Sequence, residues 1–275
     1  MARDRILITV KTYPTLSQKY GETVCTAGVR EDGSWVRLYP VPFRRLGEAE
    51  KYRKFDWIEC DLVKRDRDPR PESYCPIDPK QLVRLDHMGT EGQWRDRRNL
   101  LLNTASVFTR LKEVIDGAKA DTMSLAVFKP TEVLDFHCEQ VEREWDSEKV
   151  AGMRKETQQS ELFPEDEWRT KFKLIPKLPY SFSYRFKDAD GTESKMMILD
   201  WEIGALYWNC VKRANGDEAE ALKKVREKYF GEFLKKDLHF FLGTTQQFHS
   251  YAPNPWLIIG VFPIPHQSQL DLDLP

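Results

Sequence analysis

The chain has 275 residues, 40% hydrophobic and 32% charged, with 43 basic side chains against 44 acidic ones and a formal charge of −1. Such a composition suits a globular protein of one large or two ordinary domains, with enough apolar residues to bury a real core. The neutral balance excludes a global positive field, so any nucleic-acid site has to be a local patch. Locally there is such an excess: residues 1–70 hold 15 Lys/Arg and 11 Asp/Glu. The five cysteines, Cys25, Cys60, Cys75, Cys138 and Cys210, are odd in number and contain no CxxC pair. That argues against a disulfide scaffold or a zinc ribbon, and a reducing, cytoplasmic setting fits. The start, MARDRILITVK, has too short an apolar run for a signal peptide, and no segment approaches the roughly 18 apolar residues of a membrane span.

In chain order, Arg5 to Lys11 is short and β-branched and predicts a first strand, which stops at Tyr13-Pro14 because proline cannot donate to a ladder. The following loop, Thr12 to Glu22, carries two tyrosines and Lys19 beside that strand. Thr23 to Arg45 predicts a β-hairpin: Val24 to Val29 alternates, Glu31 to Ser34 supplies the turn with Gly33 free to take positive φ, and Trp35 resumes the strand. The period of two then sets Trp35, Arg37 and Tyr39 on one face. Two aromatics interleaved with a cation form a platform for stacking unpaired bases and holding phosphate. The plainer alternative buries Trp35 and Tyr39 and lets Arg37 reach outward.

Asp56 to Val63 predicts another strand, and the two prolines in Asp66 to Tyr74 hold Arg70 in an extended path. From Trp94 to Gly117 the period changes, with Leu100, Val107, Leu111, Val114 and Ile115 on one helical face. Leu125 to Phe128 and Val133 to Cys138 predict strands broken at Lys129-Pro130, which would complete a first domain at residues 1–140. Residues 141–173 form a charged linker, and residues 174–265 a second β-rich domain with two helices. Its helices are read from Ile203, Leu206, Tyr207, Cys210 and Val211 at helical spacing and from the cap at Asp217. Its last strands, Leu238 to Leu242 and Trp256 to Phe262, enclose a loop from Gly243 to Asn254. Thr244, Thr245, Gln246 and Gln247 there offer donors and acceptors, and Phe248, His249 and Tyr251 offer flat faces, a mixture suited to a base or nucleotide. The plainer alternative is a solvated hairpin loop. Residues 266–275 predict a flexible tail.

No catalytic or metal-binding residues are expected. The histidines fall in no HExxH or His/Cys pattern, and no P-loop, GxGxxG or GxSxG is present. Asp188 or Asp190 with Glu193 and Lys195 resembles an Asp…ExK nuclease arrangement, but the acids sit within a hairpin turn instead of on successive strands, which favours a solvated turn.

KTYP (Lys11 to Pro14), KYGETVCTAG (Lys19 to Gly28), WVRLYPVPFR (Trp35 to Arg44), DPRPES (Asp68 to Ser73), LDWEIGALYWNC (Leu199 to Cys210) and FFLGTT…APNPWLIIGVF (Phe240 to Phe262) together resemble a family of prokaryotic proteins described as containing dual OB folds. The resemblance implies small five-stranded barrels whose sheet face and loops bind single-stranded polymers, and a role in nucleic-acid transactions or bacterial conflict systems.

The expected architecture is therefore α+β: two β-rich, barrel-like (OB-like) domains with inserted or covering helices. The expected function is non-catalytic binding of single-stranded DNA or RNA, or of a nucleotide, with no cofactor. Tyr13, Trp35 and Tyr39 would stack on bases. Lys11, Lys19, Arg37, Arg44, Arg45 and Arg70 would contact phosphate, and Thr244 and His249 would add contacts from the second loop. The competing class is a protein-interaction adaptor in a bacterial multi-component, defence-type system, and a metal-dependent nuclease ranks third.

Overall fold

Alternation in the first strands builds a sheet that uses both of its faces. In the computed structural model, which describes residues 3–17, 21–41, 43, 46–47, 51–148, 150–151 and 175–266, β1 (Asp4–Lys11) pairs antiparallel with β3 (Gly21–Val29) and with β5 (Asp56–Cys60). β3 turns into β4 (Trp35–Val41) through Asp32 and Gly33, where Gly33 adopts the positive φ of 80° that the reversal requires. β4 pairs parallel with β7 (Ser73–Pro76), and β7 pairs antiparallel with β6 (Leu62–Lys64). Only Asp61 separates β5 from β6. The ladder thus returns through one bent strand to β1. β2 (Thr15–Ser17) adds to β3, and β8 (Val83–His87) adds to β5.

The second sheet repeats the arrangement. Its strands are β9 (Val107–Phe108), β10 (Leu125–Phe128), β11 (Glu132–Gln140), β12 (Tyr180–Lys187), β13 (Glu193–Ile198), β14 (Asp237–Thr244) and β15 (Trp256–Ile264), in the order β11-β12-β13-β15-β14-β10-β9. β13 and β15 are parallel, as β4 and β7 are in the first sheet. β10 and β11 flank Lys129-Pro130, where the missing donor interrupts the run; β10 pairs with β14 and β11 with β12.

The chain is thus α+β, with two sheet-rich domains and a few helices. The expected first boundary at residue 140 is corrected: β10 and β11 belong to the second sheet, so sheet membership changes between His87 and Val107. Alternation identifies a strand but not its partner. Of the expected linker, residues 149 and 152–173 lie outside the described residues, as do residues 267–275 of the tail.

The single helix expected over Trp94 to Gly117 is two elements. α1 (Glu91–Arg98) runs into a wider π turn at Asn99–Thr104, and α2 (Leu111–Lys119) begins afresh. Between them Val107 and Phe108 leave the helical path to pair with Val127 and Phe128. α3 (Trp201–Arg213) and α4 (Glu218–Arg226) connect β13 to β14. The Asp200 and Asp217 carboxylates cap them by accepting from the backbone N–H of Glu202 and Glu220. Among the described residues no helix is long and apolar enough to cross a membrane.

Three apolar clusters follow from the strand faces. Ile6, Ile8, Val36, Leu38 and Ile58 fill the inside of the first sheet. Phe136, Phe182, Tyr184, Phe186, Phe240 and Ile258 fill the second, with Ile203, Tyr207 and Val225 from α3 and α4. The third cluster lies between the sheets, where Leu7, Val10, Val29 and Phe55 meet Val127, Phe241, Ile259 and Phe262. A β-bulge between Ile8 and Val10 shifts the alternation and turns Val10 toward this interface. The approach is close at Gly260, where a Cβ would come 3.1 Å from both Phe241 Cδ2 and Val10 Cγ2.

Phe241 is fully buried in this shared core. Phe241→Ala is expected to lower the free energy of unfolding by about 3–5 kcal/mol in a urea titration. A loss below about 1 kcal/mol, typical of a surface position, would show that the sheets do not depend on each other.

Candidate binding cleft

A cavity of about 270 Å³ opens between the two sheets. The loop after β1 contributes Thr12 and Tyr13, β2 contributes Thr15, β3 contributes Cys25, β4 contributes Arg37 and Tyr39, and the loop between β6 and β7 contributes Arg70. The second domain closes it with Leu199, Leu257 and Ile259 as an apolar floor and the Gly243 to Gln246 segment as a side wall. Of the residues singled out from the sequence, Tyr13, Arg37, Tyr39, Arg70 and Thr244 come together here.

The outward face of β4 forms as expected, because Val36 and Leu38 occupy the inside of the sheet. What covers that face was not foreseen. Arg37 is only 1% exposed. It donates from Nη1 to Ser124 Oγ at 2.6 Å and from Nη2 to the Ser124 carbonyl at 2.8 Å. Glu72 completes this corner by accepting from the Ser124 backbone N–H and hydroxyl. Burial, with Arg70 nearby, pulls the Arg37 guanidinium down to about 10.

Arg70 is held in a fork. Its Nε and Nη2 donate to the two Asp68 oxygens at 2.8 and 2.7 Å, and its Nη1 donates to the Thr244 carbonyl at 2.6 Å. Burial would raise the Asp68 carboxyl, but the bonds and charge of Arg70 outweigh it and hold the group at about 2. The guanidinium groups expected to meet phosphate therefore bind protein acceptors, and each ties the first domain to the second.

Tyr13 crosses the same boundary. Its hydroxyl donates to the Pro176 carbonyl at 2.7 Å and accepts from Trp208 Nε1 at 2.9 Å. Gly204 makes room, since a Cβ there would lie 2.3 Å from the Tyr13 ring. Tyr39 stands at the other wall, with the Arg65 guanidinium 5.0 Å from its ring centre. Thr244 Oγ1 pairs with His249 Nδ1 at 2.9 Å. His249 is 1% exposed and sits behind the wall instead of lining it. Burial lowers its pKa against the pull of Asp121, whose Oδ1 lies 3.2 Å from Nε2 without hydrogen-bond alignment.

Two further expectations are corrected. Trp35 shares the outward face but packs edge-on against Phe241, with ring centres 5.9 Å apart, in the core between the sheets. Lys11 lies in an aromatic box, its Nζ 4.4 Å from the Phe43 ring centre and 5.4 Å from that of Trp201. Burial there lowers its pKa, and its ammonium donates to the Tyr52 carbonyl. Lys19, Arg44 and Arg45 lie outside the described residues. In the Asp188 to Lys195 turn the side chains serve different partners. Asp188 accepts from the Leu111 N–H, Asp190 pairs with Arg110, Glu193 with Arg185 and Lys195 with Glu139.

Sequence reasoning missed Ser124, which holds Arg37, and reached Thr12, Thr15 and Glu72 only as parts of the segments beside the hairpin, not as individual contacts. The one available signal was the Asp68-x-Arg70 pair in a proline-held loop, a spacing that favours a local fork. Thr245 stood out only as a loop donor; its Oγ1 is buried in the cleft wall with no hydrogen-bond partner among the described residues.

Because the folded-state pKa of Asp68 is depressed, its contribution to stability is present above the unfolded value near 4 and is lost as pH falls toward about 2. Asp68→Asn is expected to cost on the order of 2 kcal/mol at neutral pH. Denaturant titrations should show that difference shrinking as the wild-type carboxyl protonates; an equal difference at both ends of the range would refute the Arg70 pairing as its source.

Residues 2–103 match the family model described as a domain of unknown function, DUF8758. Residues 106–274 match the one described as a domain of unknown function, DUF8757. No curated protein matches the chain. The two matched segments meet within the stretch, His87 to Val107, where sheet membership changes. With more than half of its length covered by the second of these models, the chain belongs to the DUF8757 family.

Proposed function

We propose that each domain is an OB-type barrel and that the cleft binds single-stranded nucleic acid or a nucleotide, without catalysis. The strand order supports the barrel reading. An OB barrel is a five-stranded Greek-key barrel with its ligand face on strands 2 and 3 and the loops L12 and L45. Here β1, β3, β4, β7 and the bent β5–β6 strand follow one another around the first ladder. The bent β10–β11 strand, β12, β13, β15 and β14 follow in the second, with α3 and α4 between its third and fourth strands.

The observation that carries the functional reading is where the cavity lies. Its first-domain lining comes from the second and third strands of that barrel, through Cys25, Arg37 and Tyr39, and from the loops after the first and before the fifth, through Tyr13 and Arg70. That is the face on which OB barrels hold single-stranded ligands. The second domain covers it, so the cleft admits one unit of a polymer or a free nucleotide instead of a long tract. Asp68, Glu72 and His249 are each engaged in holding the wall, which favours binding over chemistry.

A second reading, a protein-interaction adaptor, draws on the loop that follows the cleft wall. Phe248 and Tyr251 are 45% and 68% exposed and form an edge-on pair there, an exposed aromatic anchor of the type found at interfaces.

A stacked base contributes about 1–3 kcal/mol, so Tyr39→Ala should weaken binding of a labelled single-stranded oligonucleotide roughly tenfold or more in fluorescence anisotropy. Trp35→Phe, outside the cleft, should leave it unchanged. Unaltered affinity in Tyr39→Ala would remove the cleft from the binding site, and absence of oligonucleotide binding by the wild type would favour the adaptor.

A further inference from the structure

The lining chemistry narrows what the cleft can accept. Arg37 donates to Ser124 Oγ and to the Ser124 carbonyl, and Arg70 donates to both Asp68 oxygens and to the Thr244 carbonyl. Each guanidinium also has a carboxylate in its own network, Asp68 for Arg70 and Glu72, through Ser124, for Arg37. A phosphate entering this corner would meet guanidinium groups already held by carboxylate, hydroxyl and carbonyl oxygens, with Asp68 shared between Arg65 and Arg70. To bind, it would have to displace a buried carboxylate from a two-point contact, leaving Asp68 buried and unpaired. Lys11, a further cation expected to hold phosphate, is withdrawn into its aromatic box.

The rest of the lining has a different character. Leu199, Leu257 and Ile259 make an apolar floor, Tyr13 and Tyr39 flank it, and Thr245 and Gln246 stand at its edge. Among the described residues Thr245 Oγ1 is enclosed without a hydrogen-bond partner, and a buried hydroxyl left unpaired costs about 1–3 kcal/mol, which a ligand edge would recover once a turn about the Thr245 Cα–Cβ bond brings the hydroxyl to it. A nucleobase has this complementary form: planar apolar faces with donors and acceptors around the edge. The volume of about 270 Å³ lies just below the usual range of ligand pockets and suits a group of that size.

On these grounds, and resting on the nucleic-acid reading above, we infer that the cleft recognises a single uncharged nucleobase, presented by a nucleoside or an unpaired strand end, and leaves the phosphate in solvent. Recognition comes from the apolar floor, the two tyrosines and Thr245, and the paired arginines act as wall.

The test titrates the full chain with the four ribonucleosides, their 5′-monophosphates and a short single-stranded oligonucleotide, followed by ligand-observed NMR and calorimetry. The expected result is that the best nucleoside and its monophosphate bind within about threefold of each other, with little change between low and high salt. Thr245→Val, which removes the orphan hydroxyl, should weaken nucleoside binding about three- to tenfold. A monophosphate bound more than about tenfold tighter than its nucleoside, with affinity falling as salt rises, overturns the base-only mode and leaves the nucleic-acid reading intact. Oligonucleotide binding without nucleoside binding does the same, as does nucleoside affinity unchanged in Thr245→Val. Failure of all three ligand classes to bind overturns the nucleic-acid reading together with the inference.

Discussion

The structure depends on the apolar contact between the outer faces of its two sheets. In β1, Ile6 and Ile8 point into the first domain while Leu7 and Val10 point out of it, and none of the four is exposed by more than 1%. In β14, Phe240 and Leu242 fill the second domain while Phe241 faces the first. Each sheet therefore has one face in its own core and part of the other in a shared one. Burying a large apolar side chain contributes about 1.5–3 kcal/mol, so the residues between the sheets hold the domains in one relative position. That position brings the face of β4 against the second domain and thereby creates the cleft.

Polar groups at the margin of this contact are arranged to survive burial. A guanidinium taken out of water destabilises the fold unless protein acceptors replace the water it loses. Arg37 and Arg70 meet theirs at Ser124, Thr244 and Asp68, two of them on the opposite domain. Lys54 makes a third crossing, donating to the Val261 carbonyl and pairing with Glu202 at the start of α3. Tyr13 makes a fourth through Pro176 and Trp208. These contacts fix the register of two surfaces that apolar packing alone would allow to slide, and they hold the two cleft arginines to acceptors of the protein itself.

Much of the chain was legible because its signals are local. The hairpin around Gly33, the cap at Asp217, the break at Lys129-Pro130 and the helical spacing from Ile203 to Val211 all form where residue chemistry places them. Even the shared core left a trace. LHFFL and WLIIGVF are apolar without alternation, which is how strands read when both faces are covered. Less legible was the partner of each strand. β10 and β11 look like the end of a first domain because they follow its helix in sequence, yet their hydrogen bonds go to β14 and β12.

By itself the sequence determined the longer strands, the turn at Gly33, the two helices after β13, and the fact that Trp35, Arg37 and Tyr39 share one outward face, since a period of two and the properties of glycine, proline and aspartate act over a few residues; the short strands β2, β7, β8 and β9 were not legible in it. Only the tertiary structure decided what lies over that face. It buried Trp35 against Phe241, bound Arg37 to Ser124 some 87 residues away, and left Tyr39 at the wall of a cleft. Three neighbours on one strand thus came to do three different things. The reason is physical: alternation specifies a direction, whereas the environment met in that direction comes from a second domain whose placement depends on packing distributed over both sheets.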